Sequence, residues 1–322
     1  MSNTEFDIIK KYFTFDHNRA DVNFSIGDDC ASVSVPQGKQ LLITADTLIS
    51  GVHFPENTAA EDIAFKAIMV NLSDLAAMGA TPAWLTLAIT LPEINENWLR
   101  AFSNQLKTIL TEYNIGLIGG DTTRGSLSIT IQAMGFCDTD KVLRRNQAAV
   151  ADKIYVTGDI GDAAIGLKII TNNICDEALS PCVKKLNRPE ARIKFAEELV
   201  SYSKCAIDVS DGLVADLAHI LDASQCGARI NLSDIRLSSS AIYYFSQYQN
   251  NVIDWPMMLT QGDDYELCFT ASDDNVAAVK NLAEKHQLKI SCIGEITESC
   301  ELVFIDPNGK IVNFRDNGFK HF

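Results

Sequence analysis

The chain has 322 residues, of which 47% are hydrophobic and 21% charged, a composition that excludes a disordered protein. Its formal net charge of −15, from 42 acidic and 27 basic residues, argues against nucleic acid as a partner, because backbone binding needs a basic footprint. At this length two domains are expected, each large enough to bury its own core.

The opening stretch MSNTEFDIIKKYF carries acids early and lacks the apolar core of a secretory signal. No apolar run approaches the ~20 residues that span a bilayer. A cytoplasmic protein with no membrane partner is therefore expected. Nine cysteines lie between Cys30 and Cys300 without a C-x-x-C pair, a pattern that fits reduced, mostly buried thiols.

Gly27-Asp28-Asp29 precedes a strand in which Ala31, Val33 and Val35 alternate with Ser32 and Ser34. A second strand runs from Leu41 to Ala45, with Asp46 closing it and His53 in the loop that follows. The spacing predicts a helix over 58–78, opened by Thr58 and Glu61 at capping-box separation and ended by Gly79. Its apolar stripe, Ile63, Ala67 and Val70, continues onto Asp74, with Asn71 close to the same face. A carboxylate on an apolar stripe is costly unless it is paired or bound to a cation. Trp84 to Leu91 reads as a strand and 97–113 as a helix. Gly119-Gly120-Asp121-Thr122-Thr123 then follows a short apolar run as a turn, and Leu127 to Ala133 is a further alternating strand.

The pattern lapses between Asp138 and Lys153, where Arg144 and Arg145 offer a phosphate clamp, and we place the domain boundary there. Domains of 1–140 and 150–322 result. The second half reads as strand, Gly turn and helix over 154–170, and then strand, Ser-Asp-Gly turn and helix over 205–222. A strand at 265–270 and a hairpin about Pro307-Asn308-Gly309 complete it. Ala206-Ile-Asp-Val-Ser-Asp-Gly212 leads into a helix N-terminus, which suits a phosphate, with Ser210 either donating to it or serving as the N-cap. Thr157-Gly-Asp-Ile-Gly161 is a weaker anion-site candidate, and no P-loop pattern occurs.

Acids at strand ends and on a helix stripe, with few histidines, form an oxygen-rich donor set that suits magnesium rather than zinc or copper. Since Mg²⁺ takes one or two carboxylates, with waters and phosphates completing its shell, the number of acids implies several ions and an anionic ligand.

Taken in order, several segments resemble the signature of the thiamine-monophosphate kinases, within the AIR-synthetase-like (PurM-like) superfamily. They are Gly27-Asp-Asp-Cys-Ala31, Thr44-Ala-Asp-Thr-Leu48 with His53-Phe54, Val70-Asn-Leu-Ser-Asp-Leu-Ala-Ala-Met-Gly79, Gly119-Gly-Asp-Thr-Thr123, Ala206-Ile-Asp-Val-Ser-Asp-Gly-Leu213 and Gly262-Asp-Asp-Tyr-Glu-Leu267. The resemblance covers essentially the whole chain. It implies an N-terminal mixed α/β domain whose strands pair with a second subunit in a β-barrel-like core, making a homodimer, and an α+β C-terminal domain. The implied activity is direct transfer of the γ-phosphoryl group of ATP to thiamine monophosphate, giving thiamine diphosphate and ADP.

Carried over by motif, Asp29, Asp46, Asp74, Asp121, Asp208 and Asp211 are expected metal ligands, with Asp28 and Thr44 beside them. Asp46, Asp74, Asp121 and Asp211 would carry the catalysis. Tyr113, Gly120, Asp121, Arg145 and Ser210 would contact the nucleotide, and His53, Asp263 and Phe319 the acceptor. Some relatives carry Glu where this chain has Asp263, and Tyr or Trp where it has Phe319; an aromatic face for a cationic ring survives. The rival activities are those of an aminoimidazole ribonucleotide synthetase, a selenophosphate synthetase, or a non-catalytic acidic metal-binding protein. The second would need a reactive Cys in a glycine-rich segment, and nothing of the kind precedes Gly27.

Overall fold

The computed structural model describes residues 4–314 and Gly318. It divides into two compact units, one of residues 1–75 with 80–140, the other of 76–79 with 141–322.

The first unit is built on a four-stranded sheet in the order β3-β6-β4-β5. Its strands are β3 (Lys39–Ile49), β4 (Thr81–Leu91), β5 (Gly116–Arg124) and β6 (Ser128–Asp138). Strands β3 and β6 pair antiparallel from Lys39↔Asp138 to Ile49↔Ser128, and β4 and β5 run parallel. Helix α1 (Glu5–Ile8) and a π-helical turn over Ile9–Phe13 open the chain, and β1 (Val22–Phe24) pairs with β2 (Ser32–Val33). Helix α2 (Ala60–Ala77) follows β3, and α3 (Glu96–Glu112) joins β4 to β5, as a parallel pair requires.

Several expectations shift here. The Ala31–Val35 strand shrinks to two residues. Asp46 does not end its strand, because β6 pairs with β3 as far as Ile49. The Gly-Gly-Asp-Thr-Thr run is no turn but lies inside β5, where parallel pairing with β4 outweighs the poor strand propensity of glycine. A Cβ on Gly120 would lie 1.8 Å from the Leu87 carbonyl oxygen, so the close approach of β4 demands glycine there. Helix α2 begins at Ala60, where the Ala59 carbonyl accepts from Ile63 N, which leaves Thr58 one residue too early to cap it. Its far end is as expected: Gly79 adopts φ +71° and Ala80 N returns to the Leu75 carbonyl.

The second unit holds a seven-stranded sheet in the order β13-β12-β9-β11-β7-β10-β8. These are β7 (Lys153–Thr157), β8 (Cys205–Asp208), β9 (Gly227–Asn231), β10 (Leu267–Ala271), β11 (Ile290–Thr297), β12 (Leu302–Ile305) and β13 (Ile311–Val312). All its pairings are antiparallel except β9 with β12, and β12–β13 is the hairpin expected about Pro307-Asn308-Gly309. Helices α4 (Asp162–Thr171), α5 (Ser180–Asn187), α6 (Ile193–Leu199), α7 (Leu213–Ser224), α8 (Ser239–Tyr248), α9 (Trp255–Thr260) and α10 (Val276–Lys285) complete the unit. Its core gathers Ile207 and Cys268 from the central strands with Leu213, Leu217 and Ile220 from α7.

All nine cysteines are free thiols; Cys137, Cys182, Cys205, Cys226 and Cys268 are buried and the other four exposed. Among the described residues no helix is long and apolar enough to cross a membrane.

Candidate functional site

In the first unit, strand β3 alternates its side chains, so Thr44 and Asp46 fall on one face. Helix α2 presents Asn71 and Asp74, three residues apart and therefore on one side of the helix, to that face. The Thr44 hydroxyl donates to the Asp74 carboxylate, and the Asn71 side-chain oxygen accepts the Asp46 backbone N–H at 3.1 Å. Asn71 also donates to the Ala67 carbonyl at 3.0 Å, so its amide is fixed at both ends. Helix α2 is buried on nearly every side, which is why its polar positions must find partners. Asn71 and Ser73 are fully buried, and Asp74 is half-buried.

A second group lines a cleft of about 740 Å³ beside β5, which falls in the size range of small-molecule sites. Asp28, Asp29, Gly120 and Asp121 lie on its wall, with Phe6, Ile9 and Phe13 of the N-terminal segment supplying apolar surface. Asp46, Ile131, Leu87 and Gly120 form one row across the sheet. With strands about 4.8 Å apart, the backbone of Asp46 is roughly 14 Å from that of Gly120, and Asp121 follows Gly120 on the opposite edge strand. Two separate acidic groups result. Tyr113 caps the C-terminus of α3 and does not line the cleft. His53 accepts the Ile49 N–H on Nδ1 at 2.9 Å, while the buried Lys66 donates to the His53 carbonyl at 3.1 Å, so the loop after β3 is tied back to α2.

In the second unit, Asp208 ends β8, opposite Leu267 of β10, and is 3% exposed. Ser210 and Asp211 follow it, half-buried. Ser210 is not the N-cap of α7; Gly212 is. The backbone N–H groups of Ser210 and Asp211 both donate to one carboxylate oxygen of Asp216, at 2.9 and 3.0 Å, so these two amides are already used. Burial raises the Asp216 carboxyl to about 7, against the pull of those two amides and of Arg145. Arg145 stands in a short 3-10 turn whose carbonyl accepts from the Ser224 hydroxyl at 2.8 Å. The Gly161 amide, at the start of α4, is also taken, by Asp264 at 2.8 Å.

Asp263 lies in the loop before β10 with φ +66°, its N–H donating to the Ser210 carbonyl at 2.8 Å. Two residues beyond Asp264 is Glu266, 1% exposed, held by Lys185 at 2.5 Å, by Arg192 at 2.5 and 2.7 Å, and by the Thr157 hydroxyl at 2.6 Å. Burial alone would raise Glu266, but the two cations outweigh it and hold the carboxyl at about 2. Phe319 lies outside the described residues. Among those residues no three His, Cys, Asp or Glu side chains converge as a metal cage.

Both halves match models of one family. Residues 27–137 match the AIR synthase related protein, N-terminal domain, and 150–307 the corresponding C-terminal domain. The thiamine-monophosphate kinase of Buchnera aphidicola subsp. Acyrthosiphon pisum is 44% identical, covering 100% of both chains. The chain belongs to the thiamine-monophosphate kinase family. The Haemophilus influenzae thiamine-monophosphate kinase is 43% identical over 100% of this chain and 99% of its own. Among solved structures, the family member from Stenotrophomonas maltophilia superposes with a TM-score of 0.84 at 39% identity, covering 92% of this chain and 93% of its own. AaThiL complexed with AMPPCP and TMP superposes with a TM-score of 0.79 at 28% identity, covering 92% of each chain.

No role was read from the sequence for Asp216, Lys185 or Arg192, nor for Asp264 and Glu266, although these two lie within the Gly262-Asp-Asp-Tyr-Glu-Leu267 motif. Asp216 carried a signal of its own. On α7 the apolar stripe Leu213, Leu217, Ile220 includes position 216, so the test that selects Asp74 also selects Asp216. Beyond that motif nothing local points to the ion pairs of Glu266, because its partners stand 74, 81 and 109 residues away.

Proposed function

We infer that the chain is an ATP-dependent kinase that phosphorylates thiamine monophosphate to thiamine diphosphate, releasing ADP. The observation that carries this reading is end-to-end likeness, at 44% identity, to a thiamine-monophosphate kinase, with the motifs in the family's order along the chain. Likeness at that level favours this activity over the other activities of the superfamily.

The donor set fits magnesium: Asp28 and Asp29 with Asp121 on the cleft, Asp46 and Asp74 with the Thr44 hydroxyl, and Asp208 with Asp211. These are hard oxygen ligands in groups of two or three, and Mg²⁺ binds through one or two carboxylates with phosphate and water. When bound, magnesium supplies the positive charge that lets an acidic protein accept a polyanionic nucleotide.

The chain's own residues then position. Gly120 lets the nucleotide phosphates approach the backbone of β5, Asp121 beside it holds the ion-bound end, and the Ser210 hydroxyl and Arg145 contact phosphate oxygens. Tyr113, which the family motif assigns to the base, stands outside the cleft at the end of α3, so the base would have to reach beyond the cleft to meet it. His53 and Asp263 are the described residues that the family motifs assign to the acceptor. No residue is asked to act as nucleophile or strong base, since the acceptor is already a phosphate oxygen. Asp46, Asp74, Asp121 and Asp211 act by alignment and charge neutralisation in a direct in-line transfer.

The working unit is a cytoplasmic homodimer. Strand β3, eleven residues long at the sheet edge, leaves Ile43 57% and Ile49 40% exposed. An edge of that length, charged only at Lys39 and Asp46, is suited to pairing with a second subunit and closing a barrel-like core.

The test is a product assay with Mg-ATP and thiamine monophosphate, with thiamine and aminoimidazole precursors as controls. Formation of thiamine diphosphate is expected, and its absence at every magnesium concentration overturns the reading.

A further inference from the structure

Three consecutive residues of the second unit are individually unfavourable. Asp263 and Tyr265 hold left-handed backbone, φ +66° and +50°, which non-glycine residues avoid. Between them Asp264 buries its carboxyl to 1% exposure. One of its oxygens accepts the Gly161 N–H at 2.8 Å, and the other, Oδ1, has no hydrogen-bond partner among the described residues. Burial pushes the carboxyl up to about 8, with Lys185 opposing. A segment selected only for packing would replace this acid with an apolar or fully bonded side chain.

What the arrangement does achieve is the fastening of three loops. Asp263 N donates to the Ser210 carbonyl and Tyr265 N to the Val209 carbonyl, each at 2.8 Å, and Val209 N donates to the Glu266 carbonyl at 2.7 Å. The approach is close enough that a Cβ on Gly262 would lie 2.1 Å from the Ser210 carbonyl oxygen. The 262–266 loop and the 209–211 loop are therefore zipped by backbone bonds; Glu266 reaches the Thr157 hydroxyl at the end of β7, and Asp264 ties the pair to the turn itself through the Gly161 amide. With its side chain anchored inward, the neighbouring Asp263 is turned outward to half-burial.

We propose that Asp264 is a positioning residue: by holding the Gly161 amide it fixes the linked 209–211 and 262–266 loops, and so sets where Ser210, Asp211 and Asp263 meet the phosphorylated substrates. Its activity arm rests on the kinase reading above; its structural arm does not.

Two measurements test it. In steady-state kinetics, Asp264→Ala raises the KM for thiamine monophosphate by about tenfold or more, the scale expected when positioning groups shift by a fraction of an ångström. Asp264→Asn, which keeps an oxygen for the Gly161 amide, returns KM to within about threefold of wild type. A purely structural acid would instead lower the active fraction, and so kcat, with KM unchanged; that result overturns the proposal. Hydrogen exchange on the wild-type protein removes any dependence on how the variants fold. The Gly161, Asp263 and Tyr265 amides are expected to be protected in the free protein, and to gain little more with Mg-ATP or thiamine monophosphate. If they exchange freely until ligand is added, the ligand orders the loops and the proposal fails. Should the wild-type protein make no thiamine diphosphate, the kinase reading fails by itself, and the exchange data still decide the loop-fastening role of Asp264.

Discussion

Thr44 donates its hydroxyl to the carboxylate of Asp74, joining the edge strand β3 to helix α2 at the point where both carry motif residues. A threonine on β3 satisfies part of a carboxylate that the helix stripe alone would leave costly.

Asp74→Asn preserves shape and can still accept from Thr44, so the fold should persist. Turnover is expected to fall by roughly 10²- to 10³-fold, as when one transition-state charge contact is lost. Kinetics and a thermal melt of the same preparation check this. A wild-type rate with a lowered melting temperature would make Asp74 structural.

Glu266→Gln leaves Lys185 and Arg192 facing a neutral amide in a buried site. Breaking a buried ion pair from one side costs about 3–5 kcal/mol, measurable as a lower midpoint in urea denaturation. The sign with pH follows from the depressed carboxyl. Its contribution is fully present above the ordinary 4.5 and is lost as pH falls through about 2. The destabilisation by Glu266→Gln should therefore be constant above pH 4.5 and shrink progressively between 4.5 and about 2.

Asp264 behaves in the opposite sense. Its carboxyl is raised from 3.8 to about 8, so between these values the folded chain holds a proton that the unfolded chain releases. Wild-type stability should fall as pH rises through that window, by at most about 1.4 kcal/mol per pH unit from this group. Asp264→Asn, which cannot ionise, should gain stability relative to wild type as pH rises, and a constant difference across the window would contradict this.

Ile43→Lys places a charge at the centre of the exposed β3 edge without touching either acidic group. If that edge forms the dimer, the variant should run as a monomer in size-exclusion chromatography with light scattering, while wild type runs as a dimer.

Gly120→Ala should disrupt β5 rather than merely weaken nucleotide binding, since its methyl group meets the Leu87 carbonyl. A soluble variant with a native melting temperature would show that β4 can move aside.

The sequence by itself determined the elements whose periodicity is local: α2 and α3, the alternating strand β6, the Gly79 stop, and the hairpin about Gly309. It also named the acids of both units, because an Asp on an apolar stripe or beside a Gly turn is visible within a few residues, and because the motifs stand in the family's order. Tertiary structure decided what those acids can do together. Strand pairing carried β3 past Asp46 to Ile49 and drew the Gly-Gly-Asp run into β5, since a ladder to a distant partner can stabilise a segment that local propensity disfavours. The same sheet set Asp46 and Asp121 on opposite edges and so divided the acids of the first unit into two groups. The hold of Asp264 on Gly161, and of Lys185 and Arg192 on Glu266, spans 74 to 109 residues of chain counting the Thr157 bond to Glu266, and no local pattern encodes a contact at that distance.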